Sequence, residues 1–377
     1  MAPLLRRFIL AGSILILASC GHTTVHDLGE VNQKSLAEAY ADQFLIGAAV
    51  TPIHFDSGAV ENVLGHFNAV VAENLMKPAY LQPQEGEFFW EEADRFVAFG
   101  EAHGMHITGH TLAWHIQYPD WLFSDAQGND VSREVLLQRM DSHISTVMQR
   151  YRGRIHSWDV VNEAFLNSGE MRPSKFYEII GPDWVEQMFR IAAKADPEAK
   201  LYYNDFSLFI PAKRDAVYAY MKALQEKGVR VDGIGMQQHL LLDSPSLEEI
   251  EPSLVLFSEL GDVLITELDV SVLPFPMDQI NANVSANFEL KHELNPYENG
   301  LPADIAAQFN QRYLGLFELY ERHSDKITRV TTWGISDADS WKNNWPVHGR
   351  TDYPLLFDRA GQPKPIVTQL LANNEKD

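Results

Sequence analysis

The chain has 377 residues, and 30 Lys and Arg against 52 Asp and Glu leave it a formal charge of −22. So acidic a surface repels phosphate backbones and argues against nucleic acid or an anionic membrane face as a partner. A hydrophobic share of 45% excludes a disordered chain, and a single cysteine excludes a disulfide framework or a cysteine-built zinc site.

In chain order the first feature is an address. Arg6 and Arg7 precede an apolar run from Phe8 to Ala18 that is too short to span a bilayer as a stable helix. The only cysteine closes Leu17-Ala18-Ser19-Cys20, which resembles a bacterial lipobox, where the cysteine is lipidated and becomes the mature N-terminus. A signal peptide over 1–19 and a lipidated tether over 20–34 are therefore expected. Such a lipoprotein would be exported and anchored by lipid in a membrane, at the periplasmic face or the cell surface. A plain secretory signal with a chance cysteine is the alternative.

From Phe44 onward short apolar runs alternate with amphipathic ones. The runs Phe44–Val50, Ala69–Glu73, His106–Thr111, Ser157–Asn162, Lys200–Asn204, Gly233–His239, Val263–Leu268 and Thr328–Trp333 read as parallel strands buried on both faces. Helical patterns lie between them at Glu92–His103, Arg133–Tyr151, Trp184–Ala195, Ala212–Lys227, Leu247–Leu260 and Asp304–Arg322, with weaker ones near Val60–Phe67 and Ile366–Leu371. Asp183 and Ser246 read as helix N-caps, and Pro252 is expected to split or delay its helix. Eight β/α repeats without a linker predict an α/β fold, a single (β/α)8 TIM barrel over 35–373; a doubly wound sheet is the alternative.

Polar residues collect where the apolar runs end: Glu73-Asn74, His110, Asn162-Glu163, Asn204-Asp205, Gln237 and His239, Glu267 and Asp269, and Trp333. In a barrel those ends share one face, where active sites are built. Glu163 and Glu267 close the fourth and seventh runs, so they face each other across the barrel mouth. Two opposed carboxylates suit glycoside hydrolysis, one protonated to assist the leaving group and the other ionised. Asn162, just before Glu163, is placed to bind a sugar 2-OH. No Gly-rich phosphate loop follows the first strand, and no cofactor is implied. His103, His106, His110 and His115 raise a metal-enzyme reading, but they lack a His-Glu-x-x-His helix, and no metal is expected.

Trp158-Asp159-Val160-Val161-Asn162-Glu163 and Ile265-Thr266-Glu267-Leu268-Asp269 resemble the acid/base and nucleophile signatures of glycoside hydrolase family ten, the retaining endo-β-1,4-xylanases. Further segments are similar in order: Glu73-Asn74-Leu75-Met76-Lys77-Pro78, Gly109-His110-Thr111-Leu112-Ala113-Trp114-His115 with Gln117, Tyr203-Asn204-Asp205, Gln237 with His239, and Trp333-Gly334-Ile335-Ser336-Asp337 with Trp341. The resemblance implies double displacement on xylan or xylo-oligosaccharides, with Glu163 as acid/base and Glu267 as nucleophile. It implies that His239 binds Glu267 and that Asp269 steadies His239. Glu73, Asn74 and Lys77 would bind the non-reducing side, with His110, Trp114 and Gln117 beside them. Asn162, Gln237 and Trp333 would line the −1 subsite under a Trp341 lid, and Tyr203 and Asn204 would contact the leaving-group side. The enzyme is expected to act as a monomer. Ile116 and Gln238 depart from the family pattern and are expected to alter subsite preference; Leu75 departs too. The long stretch Ser271–Leu301 is a candidate wall for distal subsites, with a packed surface excursion that meets no substrate as the alternative. A sugar-binding protein without catalysis and an endo-β-1,4-glucanase are the competing readings, and the first would ordinarily have lost one of the two glutamates.

Overall fold

The computed structural model describes residues 34–56, 61–276 and 288–374; the expected signal peptide and Cys20 lie outside them. The strands are β1 Leu45–Val50, β2 Ala69–Ala72, β3 His106–Trp114, β4 Ser157–Asn162, β5 Lys200–Asp205, β6 Gly233–Met236, β7 His239–Leu241, β8 Asp262–Ser271 and β9 Ile327–Thr332. All pair in parallel, in the order β6-β5-β4-β3-β2-β1-β9-β8-β7. Because β6 also pairs with β8, the sheet closes. β6 and β7 are two pieces of one staggered strand that both lie on β8, parted by Gln237-Gln238, so the barrel has eight strands and Glu267 sits on the seventh.

The helices are α1 Leu36–Ala39, α2 Ile53–Asp56, α3 Glu61–Leu64, α4 Pro78–Leu81, α5 Glu91–Ala102, α6 Arg133–Arg150, α7 Lys175–Ile180, α8 Trp184–Ala195, α9 Pro211–Glu226, α10 Leu247–Phe257, α11 Ala303–Arg322 and α12 Pro365–Asn373. Their apolar faces pack on the barrel, and the strands are buried almost throughout. One of the expected helix features is corrected and another is met only in part. Pro252 does not split α10: it stands in the second turn, where its missing N–H releases only the carbonyl of Glu248, and the helix instead stops early at Phe257. Asp183 does stand at the N-cap of α8, but its side chain caps no backbone N–H; its oxygens accept from Arg133 at 2.7 and 2.8 Å and from the Gln187 side chain at 2.9 Å. Ser246 does cap α10, in a reciprocal box with Glu249.

Two close approaches set the mouth. Gly109 in β3 lies against Trp158 of β4, where a Cβ would come within 2.1 Å of the indole ring. Gly235 in β6 lies against Asn204, where a Cβ would sit 2.5 Å from the amide oxygen. A side chain at either position would push apart the strands that carry the site.

Candidate active site

Every strand end that the sequence marked as polar reaches one side of the barrel. A cavity of about 370 Å³ opens there, lined by Glu73, Asn74, Lys77, His110, Trp114, Gln117, Asn162, Glu163, Gln237, His239, Glu267, Trp333 and Trp341. Glu163 is the residue after β4 and turns into the cavity through a left-handed conformation, φ 60°. Gln117 and Gln238 share that conformation, at 56° and 58°. Non-glycine residues held there are strained, and such strain gathers at functional sites. Around Glu163 the backbone is tied down: its N–H donates to Asn204 O at 2.9 Å, and its carbonyl accepts Arg172 Nε at 2.9 Å.

Glu267 and Asp269 are two apart on β8 and so share a face. His239, opposite Asp269 in the β7–β8 register, spans both. Its Nε2 lies 3.0 Å from Glu267 Oε2 and its Nδ1 2.8 Å from Asp269 Oδ2. Burial alone would push this histidine down, but the two carboxylates outweigh it and raise it to about 9, so it stands as an imidazolium. Burial likewise pushes Glu267 up; the bonded, charged His239, together with His110 and the Asn204 amide, reverses that and holds Glu267 below the ordinary glutamate range. Asn204 Nδ2 donates to Glu267 Oε1 at 2.7 Å.

Glu163 has no such cation. Burial raises its pKa, and the nearby Asp205 carboxylate raises it further. Its Oε1 accepts from Gln237 Nε2 at 3.0 Å and, at 3.4 Å, from Asn162 Nδ2. Its Oε2 is buried without a hydrogen-bond partner, as is Trp114 Nε1, which stands close enough to favour the carboxylate but outside bonding geometry. A buried polar atom without a protein partner calls for an explanation, and on a cavity wall a catalytic or ligand-binding role is one. The two carboxyl groups are joined through amides: Asn162 Oδ1 accepts both Gln237 Nε2 at 3.1 Å and Asn204 Nδ2 at 3.0 Å.

On the opposite wall Lys77 Nζ donates to Asn74 Oδ1 at 2.9 Å, and Asn74 Nδ2 to Glu73 Oε1 at 3.0 Å. Lys77 also lies 4.8 Å from the Trp114 ring centre. Burial lowers the Lys77 pKa, against the pull of Glu267, Glu73 and Glu163, and raises that of Glu73. His110 is oriented by Asp159 at 2.9 Å and meets Trp333 edge-on at 5.3 Å. Trp341 donates its indole N–H to Asp269 Oδ2 at 2.8 Å and stacks on Trp345 at 4.9 Å.

Two expected contacts are corrected. Tyr203 and Asn204 are fully buried and do not line the cavity. They alternate on β5: Asn204 faces the barrel interior and positions Glu267, while Tyr203 bonds Asp205 Oδ2 at 2.5 Å and accepts the Ala164 N–H at 3.0 Å. Both act behind the wall. Gln238 also turns away, accepting Tyr320 OH at 2.5 Å, whereas Ile116 does line the cavity. Sequence reasoning missed Phe206, Lys342 and Trp345 on that lining. Of the long stretch after β8, residues 277–287 lie outside the description; Phe275 packs on Trp345 at 5.6 Å, and Phe288 N–H bonds Pro346 O at 2.9 Å. Among the described residues no group of three or more His, Cys, Asp and Glu is gathered to hold a metal ion, and His103, His106 and His110 each engage a different partner.

A closed parallel barrel with two buried glutamates at its mouth, their pKa values pushed in opposite directions, has the architecture of a glycoside hydrolase. The chain belongs to glycosyl hydrolase family 10, whose model matches residues 35–373. It is 46% identical over 344 residues to endo-1,4-beta-xylanase A of Xylanibacter ruminicola, covering 90% of this chain and 93% of that protein. It is 41% identical to an endo-1,4-beta-xylanase of Geobacillus stearothermophilus over 335 residues, covering 88% of this chain and 96% of the relative. Among solved structures, a GH10 endoxylanase retrieved from a sugarcane soil metagenome superposes with a TM-score of 0.86 at 42% identity, covering 90% of this chain and 100% of the other.

Proposed function

We propose that the protein is a retaining endo-1,4-β-xylanase in which Glu163 is the general acid/base and Glu267 the nucleophile. The observation that carries the role assignment is the different setting of two equally buried glutamates, 6% and 4% exposed and joined by one amide network: His239 bonds Glu267 and lowers its pKa, while burial and Asp205 raise that of Glu163. Glu267, ionised and oriented by His239 and Asn204, attacks the anomeric carbon. Glu163, protonated, delivers its proton to the glycosidic oxygen as that bond breaks; its unpartnered Oε2 is the atom available to carry it. Water then attacks the glycosyl-enzyme while Glu163 takes its proton, restoring both groups with the anomeric configuration retained. Asn162 Nδ2, bound to Glu163 only at 3.4 Å, serves the sugar 2-OH. Glu73, Asn74, Lys77 and Gln117 take glycone hydroxyls, and Trp114, Trp333 and Trp341 take the apolar sugar faces. NMR of the first-formed product on xylan tests the mechanism: a β anomer is expected, and an α anomer overturns the assignment. Parallel assays on carboxymethylcellulose and mixed-linkage glucan test the substrate.

The same reading includes lipid anchoring at Cys20. Its support is Leu17-Ala18-Ser19-Cys20 behind a charged, then apolar segment. Among the described residues no helix is long and apolar enough to cross a membrane. Cys20→Ala should move the enzyme from the membrane fraction to the soluble one at unchanged activity per molecule, and a wild-type protein found unlipidated overturns it.

A further inference from the structure

Most large apolar side chains of this protein are buried, yet two aromatic rings beside the strand-two segment are not: Tyr80 is 51% exposed and Phe89 58%. A lone exposed ring is ordinary, so position has to decide. Tyr80 stands three residues after Lys77, in α4, directly behind two residues of the cavity wall. Tyr80 N–H donates to Lys77 O at 3.0 Å, and Ala79 N–H donates to Gln117 O at 2.9 Å. Gln117 Nε2 lies 3.4 Å from the Tyr80 hydroxyl, which brings the phenol to the rim just outside Gln117. Phe89 N–H donates to Leu81 O at 2.9 Å, so the second ring belongs to the segment lying alongside. Its neighbour Phe88 turns inward and stacks on Trp90 at 4.6 Å, leaving Phe89 facing solvent.

We propose that the cavity continues past Lys77 and Gln117 into a distal glycone subsite, with Tyr80 as a stacking platform for a pyranose and Phe89 extending it. The inference rests on the xylanase reading above, which puts the leaving group beyond Glu163 and the glycone on the Glu73–Lys77 wall. A polymer entering there must pass over the rim, and the first flat apolar surface it meets is the Tyr80 ring. Pyranose faces are apolar while their edges carry hydroxyls, so an exposed aromatic face is the matching surface, and the ring costs little to hold because its backbone is already bonded to the wall. Such a subsite adds affinity only to substrates long enough to reach it.

The test compares a short and a long substrate. An aryl β-xylobioside has a glycone that ends before Tyr80, whereas xylohexaose can reach it. Tyr80→Ala should lower kcat/KM on xylohexaose about five- to tenfold, the size of one aromatic contact. It should leave kcat/KM on the aryl xylobioside within about twofold and shift the cleavage position on end-labelled xylohexaose. Tyr80→Phe keeps the ring and should behave as wild type, and Phe89→Ala should show a weaker form of the Tyr80→Ala pattern. Unchanged xylohexaose kinetics in Tyr80→Ala would overturn the subsite, and so would equal losses on both substrates, which indicate disturbance of Lys77 and Gln117 instead. Wild-type turnover of the aryl xylobioside tests the glycosidase reading by itself, so the two failures are distinguishable.

Discussion

The two halves of the barrel mouth present the same side chain at the same depth and treat it in opposite ways. At the end of β8, Glu267 receives a donor that carries a full charge, His239, with a neutral amide from Asn204. Just past β4, Glu163 accepts side-chain hydrogen bonds from neutral amides only, and the charge that acts on it most is another carboxylate, Asp205, which outweighs Arg172. Burial pushes both glutamates up, so burial cannot be what separates them. The difference lies in the charge of the groups that replace water around each one. Asp269 has a part in this although it touches no sugar: by pairing with His239 it keeps a cation in place where burial would discharge it. On the other side, Lys213 pairs with Asp205 at 2.6 Å in full burial, which opposes the burial that raises Asp205 and so favours the anion that acts on the acid/base.

The largest effects should come from removing either carboxylate, and their difference is the sharpest test of the contrast. Glu267→Ala should abolish turnover on every substrate, by about 10⁴-fold or more, since no other group on the cavity wall can form the glycosyl-enzyme. Glu163→Ala should lose about 10² to 10⁴ on xylan, where the leaving group needs its proton. On aryl xylosides with good leaving groups the glycosylation step should survive, and azide should rescue deglycosylation, because a small anion needs no general base. Pre-steady-state bursts with and without azide measure both effects. If the two alanine variants behave alike on activated substrates, the halves do not have different jobs.

A smaller effect, on the pH profile, should follow from the charge difference itself. In the wild type kcat/KM requires Glu267 ionised and Glu163 protonated. The acid limb should therefore lie below the ordinary glutamate range and the alkaline limb above it, with His239 still charged through most of the window because its pKa is about 9. His239→Gln keeps a neutral donor and removes the cation. Glu267 then titrates higher, so activity is lost sooner as pH falls, and the acid limb should move up by about one unit or more. The alkaline limb, set on the other side of the mouth, should stay. A shift of both limbs together would show that the amide bridge through Asn162 couples the two titrations more strongly than separate roles allow.

The same contrast shows how far the chain could be read without coordinates. Strands buried on both faces leave near-continuous apolar runs, and a polar residue at the end of such a run has few explanations other than a site, so Glu73, His110, Glu163 and Glu267 stood out. What could not be read was direction. Tyr203 and Asn204 belong to the same short polar group, but strand alternation turns one to the interior and the other to the back of Ala164, and neither reaches the cavity. Phe206 lines the cavity from a loop and carries no polar signal. The spacing of Trp341 and Trp345 was a usable clue: four apart around a single turn, they stack with Lys342 over both rings. The expected break at Pro252 failed although the proline stands at the middle of α10: the helix runs on past it and gives up only the hydrogen bond to the Glu248 carbonyl.

The smallest predicted effect belongs to Lys342, one step further from the nucleophile. It is buried, lies 4.4 Å from the Trp341 ring centre and 5.5 Å from that of Trp345, and stands 3.6 Å from Asp269 Oδ1, an oxygen with no hydrogen bond. Burial lowers its pKa, Asp269 and Asp352 favour its charge, and Arg350 opposes it. Its two contributions separate in a Lys342→Met variant, which keeps most of the stem. Loss of the ammonium over two indoles should loosen the lid and raise KM several-fold, the scale of one buried cation–π contact. Loss of the positive charge should also let Glu267 titrate slightly higher, but through Asp269 and His239 and not by contact, so the acid limb should rise by less than half the shift seen in His239→Gln. Lys342→Arg restores the charge and should return the limb to its wild-type place even where KM does not recover fully. An acid limb that moves as far in Lys342→Met as in His239→Gln would mean that the cation bonded to Glu267 is not the one that sets its ionisation, and the account of the nucleophile's side would have to be rebuilt around the pair Lys342–Asp269.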